Sequence, residues 1–191
     1  MVHEIRLVSF DPALSNLGVA LLRYNIFEQR LVLDRLHLAK TEPTKTKQVR
    51  KNSDDLERAR ILFRTMTEFS ENRAFAIAEI PVGTQSARGA MSNGIALGVL
   101  AGCPVPLIQV TPTEAKLAGP GIKTATKQEM IEWAIGKYPH KDWLMRKSKG
   151  QLVPIADNEH LADAVAIAEA GIKTAQFKQA LALYKAVHSF A

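Results

Sequence analysis

Three short strand-like segments open the sequence, and the turns between them are too short to carry the chain from one end of a sheet back to the other. Residues 5–10, 18–24 and 30–39 are apolar and β-branched at several positions, and polar turn residues separate them. Such neighbours pair antiparallel, because a parallel return needs a crossover of a dozen or more residues. The first segment stops at Asp11-Pro12, a turn signal. The later chain follows the opposite rule. Residues 56–69 repeat apolar side chains at roughly helical spacing behind Ser53, Asp54 and Asp55, an N-cap followed by early acids. A strand pattern at 74–80, a small-residue helix at 87–101 and a strand at 104–110 come next. Strand, helix, strand crossovers put helices on the faces of a sheet, so the pattern predicts a mixed α/β sandwich. Helical patterns at 112–117, 127–137, 159–170 and 174–188 complete it, punctuated by Gly or Pro. The polar stretch 41–52, with Pro43 and no apolar period, predicts a mobile loop.

With 191 residues in ordinary globular proportions, the chain can bury a core without disulfides or structural metal. The formal net charge is +6 and the pI about 9.5, which suits a polyanionic partner without demonstrating one. Cys103, the single cysteine, lies in the apolar run 99–103 and reads as a packed thiol rather than a nucleophile or ligand. The opening residues lack the pattern of a signal peptide and no apolar run approaches membrane-spanning length. A soluble, cytoplasmic protein with no membrane partner is expected, from a bacterium or a phage-infected host, with an organellar origin left open.

Asp11 closes the first strand, Glu79 closes the strand after the long helix, and Asp163 follows His160 by three residues on a late helix. That spacing puts His160 and Asp163 on one helix face. If the first and fourth strands are neighbours, Asp11 and Glu79 meet at adjacent positions, and the helix face completes a cluster of hard ligands that repel one another without cations. Phosphodiester hydrolysis uses such a cluster: two divalent ions roughly 4 Å apart prepare the water and stabilise the leaving oxygen. Mg²⁺ suits the carboxylates, and Mn²⁺ accepts a histidine more readily. His160 is open to two roles, metal ligand or base acting on water. Plainer readings stand beside these. Asp11 before Pro12 shapes a turn, and His160 and Asp163 decorate a helix. Glu79 resists such a reading, because it interrupts an apolar strand where a lone buried charge is costly.

Four segments together resemble the RuvC family of Holliday junction resolvases: residues 7–18 with Asp11 and Gly18, Ala76-Ile77-Ala78-Glu79, the stretch 111–127, and residues 160–168 beginning His160-Leu161-Ala162-Asp163. The resemblance covers about residues 5–170. It implies an RNase H-like α/β fold with a mixed five-stranded sheet and helices on both faces. One nuclease domain over 1–191 is expected, with an additional C-terminal helix at about 173–190 that lies outside the resemblance. By the same resemblance Asp11, Glu79, His160 and Asp163 fall on the family's catalytic metal-binding tetrad, holding Mg²⁺ or Mn²⁺ as two ions.

The resemblance also makes Lys116 and Lys127 DNA-facing lysines, flanking the turn Gly119-Pro120-Gly121-Ile122-Lys123. Lys123 in that turn, Arg88 and Lys147 are further candidates for phosphate contact, which adds salt-sensitive affinity but no sequence readout. The implied partner is branched DNA, a four-way junction, cut by a homodimer through the helix at 87–101. Two departures are plain. Residues 81–88 carry no aromatic to wedge a junction open. The segment 138–157, with His140, Lys141, Trp143, Arg146, Lys147 and Lys149, is longer than the family's loop. It reads either as a base-stacking basic element or as a solvated flap. Both departures fit a divergent or phage-encoded member. Competing readings are a broader fork or flap nuclease in repair or packaging, an RNA-processing enzyme, and a non-catalytic junction-binding protein. An actin-like nucleotide-binding module is disfavoured, since the chain is too short for two such domains and a second phosphate loop.

Overall fold

The computed structural model describes residues 3–45 and 50–188. Strand β1 (Glu4–Pro12) pairs antiparallel with β2 (Asn16–Asn25), and β2 pairs antiparallel with β3 (Arg30–Lys40). The turns are tied locally. Ala13 N–H donates to the Asn16 carbonyl at 2.8 Å, and the Asn25 side-chain oxygen accepts from the backbone N–H groups of Phe27 and Glu28. The strands run one or two residues beyond the apolar segments read from sequence, because the ladder pairs backbone whatever the side chain.

Helix α1 (Lys51–Ser70) leads into β4 (Phe75–Glu79), and α2 (Ala87–Ala101) into β5 (Leu107–Val110). Both strands join parallel, giving the order β3-β2-β1-β4-β5. The long helical crossovers impose this, as expected. Two boundaries differ, one of them the start of β5, at Leu107 rather than 104. Helix α1 begins at Lys51 rather than after a Ser53 cap, with Arg50 at the N-cap making no side-chain cap bond. Residues 46–49 of the expected loop lie outside the described residues. The chain ends with α3 (Pro112–Ala118), α4 (Lys127–Lys137), a hairpin of β6 (Met145–Ser148) and β7 (Gln151–Pro154), α5 (Asn158–Gly171) and α6 (Ala175–His188). Thr111 and Thr126 form capping boxes with Glu114 and Glu129, fixing the starts of α3 and α4. Residues 173 and 174 precede α6, and 189 and 190 lie outside the described residues.

Alternation along the strands sorts the two faces of the sheet. Val8, Phe10, Val19, Ala76 and Ala78 join a core with Leu62 and Met66 of α1 and Val99 and Leu100 of α2. Leu7, Ala20, Leu22, Phe75 and Ile77 point to the other face, which α5 covers with Leu161, Val165 and Ile167. Helix α5 touches all five strands of this sheet and both α3 and α4. Its near-continuous Ala and Val run follows from this: most of its residues are buried, so small side chains are needed for close approach.

Candidate active site

The last register pair of the parallel ladder between β1 and β4 is Phe10 with Ala78. Asp11 and Glu79 are the next residue on each strand. Asp11 is two positions beyond Ser9 and Glu79 two beyond Ile77, so both point to the face that α5 covers. Ser9 confirms the geometry: its hydroxyl, fully buried, donates to the Ala164 carbonyl of α5 at 2.7 Å.

Two glycines let α5 lie this close. Gly18 is paired with Asp11 across β1 and β2, and a Cβ there would stand 2.1 Å from the His160 carbonyl oxygen. At the other end, a Cβ on Gly171 would meet Ile77 Cγ2 at 2.4 Å. The N-terminal turn of α5 is thereby set down beside the strand ends that carry the acids. Asn158, fully buried, ties the same turn to the preceding chain. Its Nδ2 donates to the carbonyls of Leu144 at 2.8 Å and Ile155 at 3.1 Å, and its Oδ1 accepts from Leu144 N–H at 2.9 Å.

Asp11 and Asp163 are each in electrostatic reach of both Glu79 and His160. His160 Nδ1 lies 2.7 Å from Asp11 Oδ2. An ionised carboxylate only accepts, so the proton of this bond sits on Nδ1. Burial pulls the His160 imidazole down, but the Asp11 hydrogen bond and the charges of Asp11, Glu159 and Asp163 outweigh it and hold the ring above its ordinary value. Burial, then the charges of Asp11 and Asp163, push the Glu79 carboxyl up to about 7. Burial and the Asp11 charge do the same to Asp163, also up to about 7. Buried acids raised by neighbouring negative charge in this way mark a site short of positive charge. Lys116 on α3 supplies part of it, opposing the shift at both Glu79 and Asp163.

Glu159 belongs to this site and escaped the sequence reading. Its carboxylate pairs with Lys127 Nζ at 2.8 Å and lies 3.5 Å from His160 Nε2. Its place beside His160 in the first turn of a helix was the available signal. Lys127 also feels Asp163 and Asp11, and the hydrogen bond to Glu159, ahead of these charges, raises its ammonium. Lys123 is exposed in the turn before α4, and Gly121 there has φ 82°, a conformation that favours glycine.

The remaining candidates fare differently. Arg88 is bound by both oxygens of Asp55, one contact at 2.6 Å. The side chain of Asp55 is buried and also meets Arg58 at 3.5 Å. Arg58 in turn donates to Ser15 Oγ and Thr41 Oγ1, each at 3.0 Å. Asp55 thus links the first turn of α2 to the chain just after Asp11. Any phosphate contact by Arg88 competes with that ion pair. Lys147 is exposed on β6, away from any carboxylate partner among the described residues. Trp143 does not stack on bases: it is 6% exposed, and its Nε1 donates to the Tyr138 carbonyl at 2.8 Å. The segment around it is largely solvated, as one of the two readings has it. It is a hairpin whose turn places Lys149 and Gly150 at φ 48° and 80°.

The donor set fits a hard divalent cation in kind: three carboxylates, one histidine, and ionisation held back by crowding. Among the described residues, however, no three His, Cys, Asp or Glu side chains are closed around a common ion position. In this arrangement Asp11 Oδ2 is given to His160 Nδ1, which leaves Asp11 Oδ1 and His160 Nε2 outside that bond.

No protein-family model matches the sequence, and no curated protein matches it. Solved structures do match. RuvC of Thermus thermophilus in complex with a Holliday junction substrate superposes with a TM-score of 0.61 at 22% identity, over 87% of this chain and 92% of that one. The Thermus thermophilus RuvC structure gives 0.59 at 21% identity, with the same coverage of each chain. The fowlpox virus resolvase in complex with its Holliday junction DNA gives 0.55 at 14% identity, over 88% of this chain and 97% of that one. The chain has the RNase H-like fold of these proteins, with the five-stranded mixed sheet and two-sided helices that the sequence predicted.

Proposed function

We propose that the protein is a divalent-metal-dependent endonuclease that cuts branched DNA, with the four-way junction as its preferred substrate. One observation carries the reading. Asp11, Glu79 and Asp163 crowd the same end of the same sheet face on a fold whose solved relatives include resolvases holding Holliday junctions. A structural acid cluster would gain little from burying Glu79 and Asp163 beside Asp11, where both are pushed up to about 7.

Asp11, Glu79 and Asp163 are the residues we assign to the metal, Mg²⁺ or Mn²⁺. Bound divalent ions would supply an activated water and stabilise the leaving oxygen of the scissile phosphodiester. The protein's own residues do the rest. Asp11 orients His160 by holding the Nδ1 proton, which leaves Nε2 to exchange a proton or to ligate. Lys116 offsets surplus negative charge at Glu79 and Asp163. Lys123 and Lys127, on the turn and helix beside it, would take DNA phosphates in salt-sensitive contacts. Lys127 would exchange Glu159 for phosphate on binding.

Symmetric cutting of a junction requires two sites, and α2 is the helix we assign to a homodimer. With α1 it forms a shallow apolar groove lined by Ala59, Phe63, Ile95, Gly98 and Val99. Met91 and Leu97 are exposed along the same helix. Gly94 and Gly98 have open space where a Cβ would stand, so a partner backbone can approach closely. A two-fold dimer buries the same patch on both copies.

The test is a cleavage panel of four-way junction, replication fork, flap, linear duplex and RNA in Mg²⁺, with cut positions mapped on each strand. Paired nicks at symmetric positions on the junction are expected. Fork or flap cutting that outpaces junction cutting moves the protein to a broader branched-DNA nuclease, and preferential RNA cutting overturns the reading. Binding without any cutting would make it a junction-binding protein.

A further inference from the structure

At the end of α5 away from the acids, a second cavity of about 810 Å³ opens between the β2–β3 turn, the end of α4 and α6. Tyr24 lines it and is paired with Ile5, at the opposite end of β1 from Asp11, so the cavity is separate from the acidic site. Arg30, Lys137, Lys173, Lys178 and Lys185 line it against one carboxylate, Glu169. Glu169 is buried and already engaged: the Tyr138 hydroxyl donates to it at 2.9 Å and Lys137 Nζ lies 2.7 Å away. Arg30 meets Glu28 only in an exposed pair, which contributes little and yields readily. Lys173 and Lys178 have no carboxylate partner among the described residues. The floor is apolar, built from Ile26, Leu31, Ile172 and Leu181.

Cations gathered around a concave apolar surface repel one another and focus a positive potential into it. Volume and lining match a small-molecule site, in which an apolar body is buried and a few charged groups fix orientation. We propose that this cavity binds the phosphate groups of a ligand with an apolar body of nucleotide size, whether a free nucleotide or the terminal nucleotide of a DNA strand. Arg30 offers a planar fork suited to two phosphate oxygens, and the lysines act as point charges around it. The apolar floor takes the base. Helix α6 makes the site, since it brings Lys178, Leu181 and Lys185 over the sheet.

Calorimetric titration of the full chain in a chelator tests this, with ATP, inorganic tripolyphosphate and a short 5′-phosphorylated single strand as probes. No metal is present and no cleavage is read, so failure here is distinguishable from failure of the nuclease reading. ATP or the strand is expected to bind, roughly tenfold or more tighter than tripolyphosphate. The double variant Lys173→Ala/Lys178→Ala should weaken that binding by roughly tenfold or more while melting as the parent does, since both side chains are exposed. Lys116→Ala/Lys127→Ala should leave ATP binding unchanged. Which of ATP and the strand responds to the Lys173 and Lys178 variant identifies the source of the phosphate. No binding by either, binding indifferent to that variant, or tripolyphosphate binding as tightly as the tighter of ATP and the strand overturns the proposal.

Discussion

Gly18 lies directly under the backbone of His160, with only 2.1 Å between its would-be Cβ and the His160 carbonyl oxygen. The glycine is paired with Asp11, so one missing side chain decides how near the helix that carries His160 and Asp163 comes to the strand that carries Asp11. Backbone is what a new Cβ would strike, and backbone yields less readily than a flexible side chain. Gly18→Ala should therefore lower stability by about 1–3 kcal/mol, the usual cost of overpacking, as measured by denaturant unfolding. On the proposed reading it should also reduce junction cutting beyond the loss of folded protein, because α5 is displaced at the end that carries His160 and Asp163. Unchanged stability and cutting would show that the helix is free to shift.

Asp55 makes a second, remote claim on the site. Its side chain is 2% exposed beside the nearly buried Arg58. Arg58 holds Ser15 and Thr41 next to the turn that follows Asp11. Asp55→Ala leaves the Arg58 charge buried and uncompensated, a change that costs about 3–5 kcal/mol. Thermal unfolding should show a large loss, and Asp55→Asn a smaller one.

The acids also fix the sign of a pH effect. Glu79 and Asp163 titrate at about 7 in the folded chain, above their unfolded values. Each favours the fold while protonated. That contribution is complete below the unfolded carboxylate range and is lost as pH rises through about 7. His160, raised above its ordinary value, acts in the same direction over a higher interval. Without divalent cations the chain should melt at a higher temperature near pH 5 than near pH 8. Mg²⁺, which competes with protons for the same carboxylates, should stabilise most at the higher pH. Melting curves at both values, with metal and with chelator, read this directly; stabilisation by Mg²⁺ that is equal at the two pH values would contradict it.

Lys116 and Lys127 are assigned to phosphates rather than bases. Replacing either by Ala should weaken junction binding about equally across sequences and reduce the salt dependence by about one phosphate contact. Binding measured across a range of salt concentrations checks this, and an unchanged slope would remove the lysine from the interface.

Much of this was legible in the sequence because it rests on periodicity and on charges out of place. Glu79 interrupts an apolar strand, and short turns against long helical spacings settle which strands run parallel. What escaped depends on partners distant in sequence. Asp55 lies 33 residues from Arg88, so nothing local marks that arginine as taken. Asn158 reaches back 14 residues to Leu144, and this bond helps turn a basic, polar stretch into an anchored hairpin. Its strands show little buried alternation, which is why their pattern reads as a loop. Trp143 beside lysines reads as a stacking residue, yet it packs inward into the core that α5 shares, with its Nε1 held by the Tyr138 carbonyl. Glu159 reads as an ordinary first-turn acid, and only its contacts with Lys127 and His160 bring it to the site.

The most direct test is nicking of a synthetic four-way junction in Mg²⁺ by the wild-type chain and by Asp11→Asn, with binding followed in parallel by gel shift. The account predicts that the variant binds the junction like the parent and fails to cut it. Cutting by Asp11→Asn at the wild-type rate would contradict it.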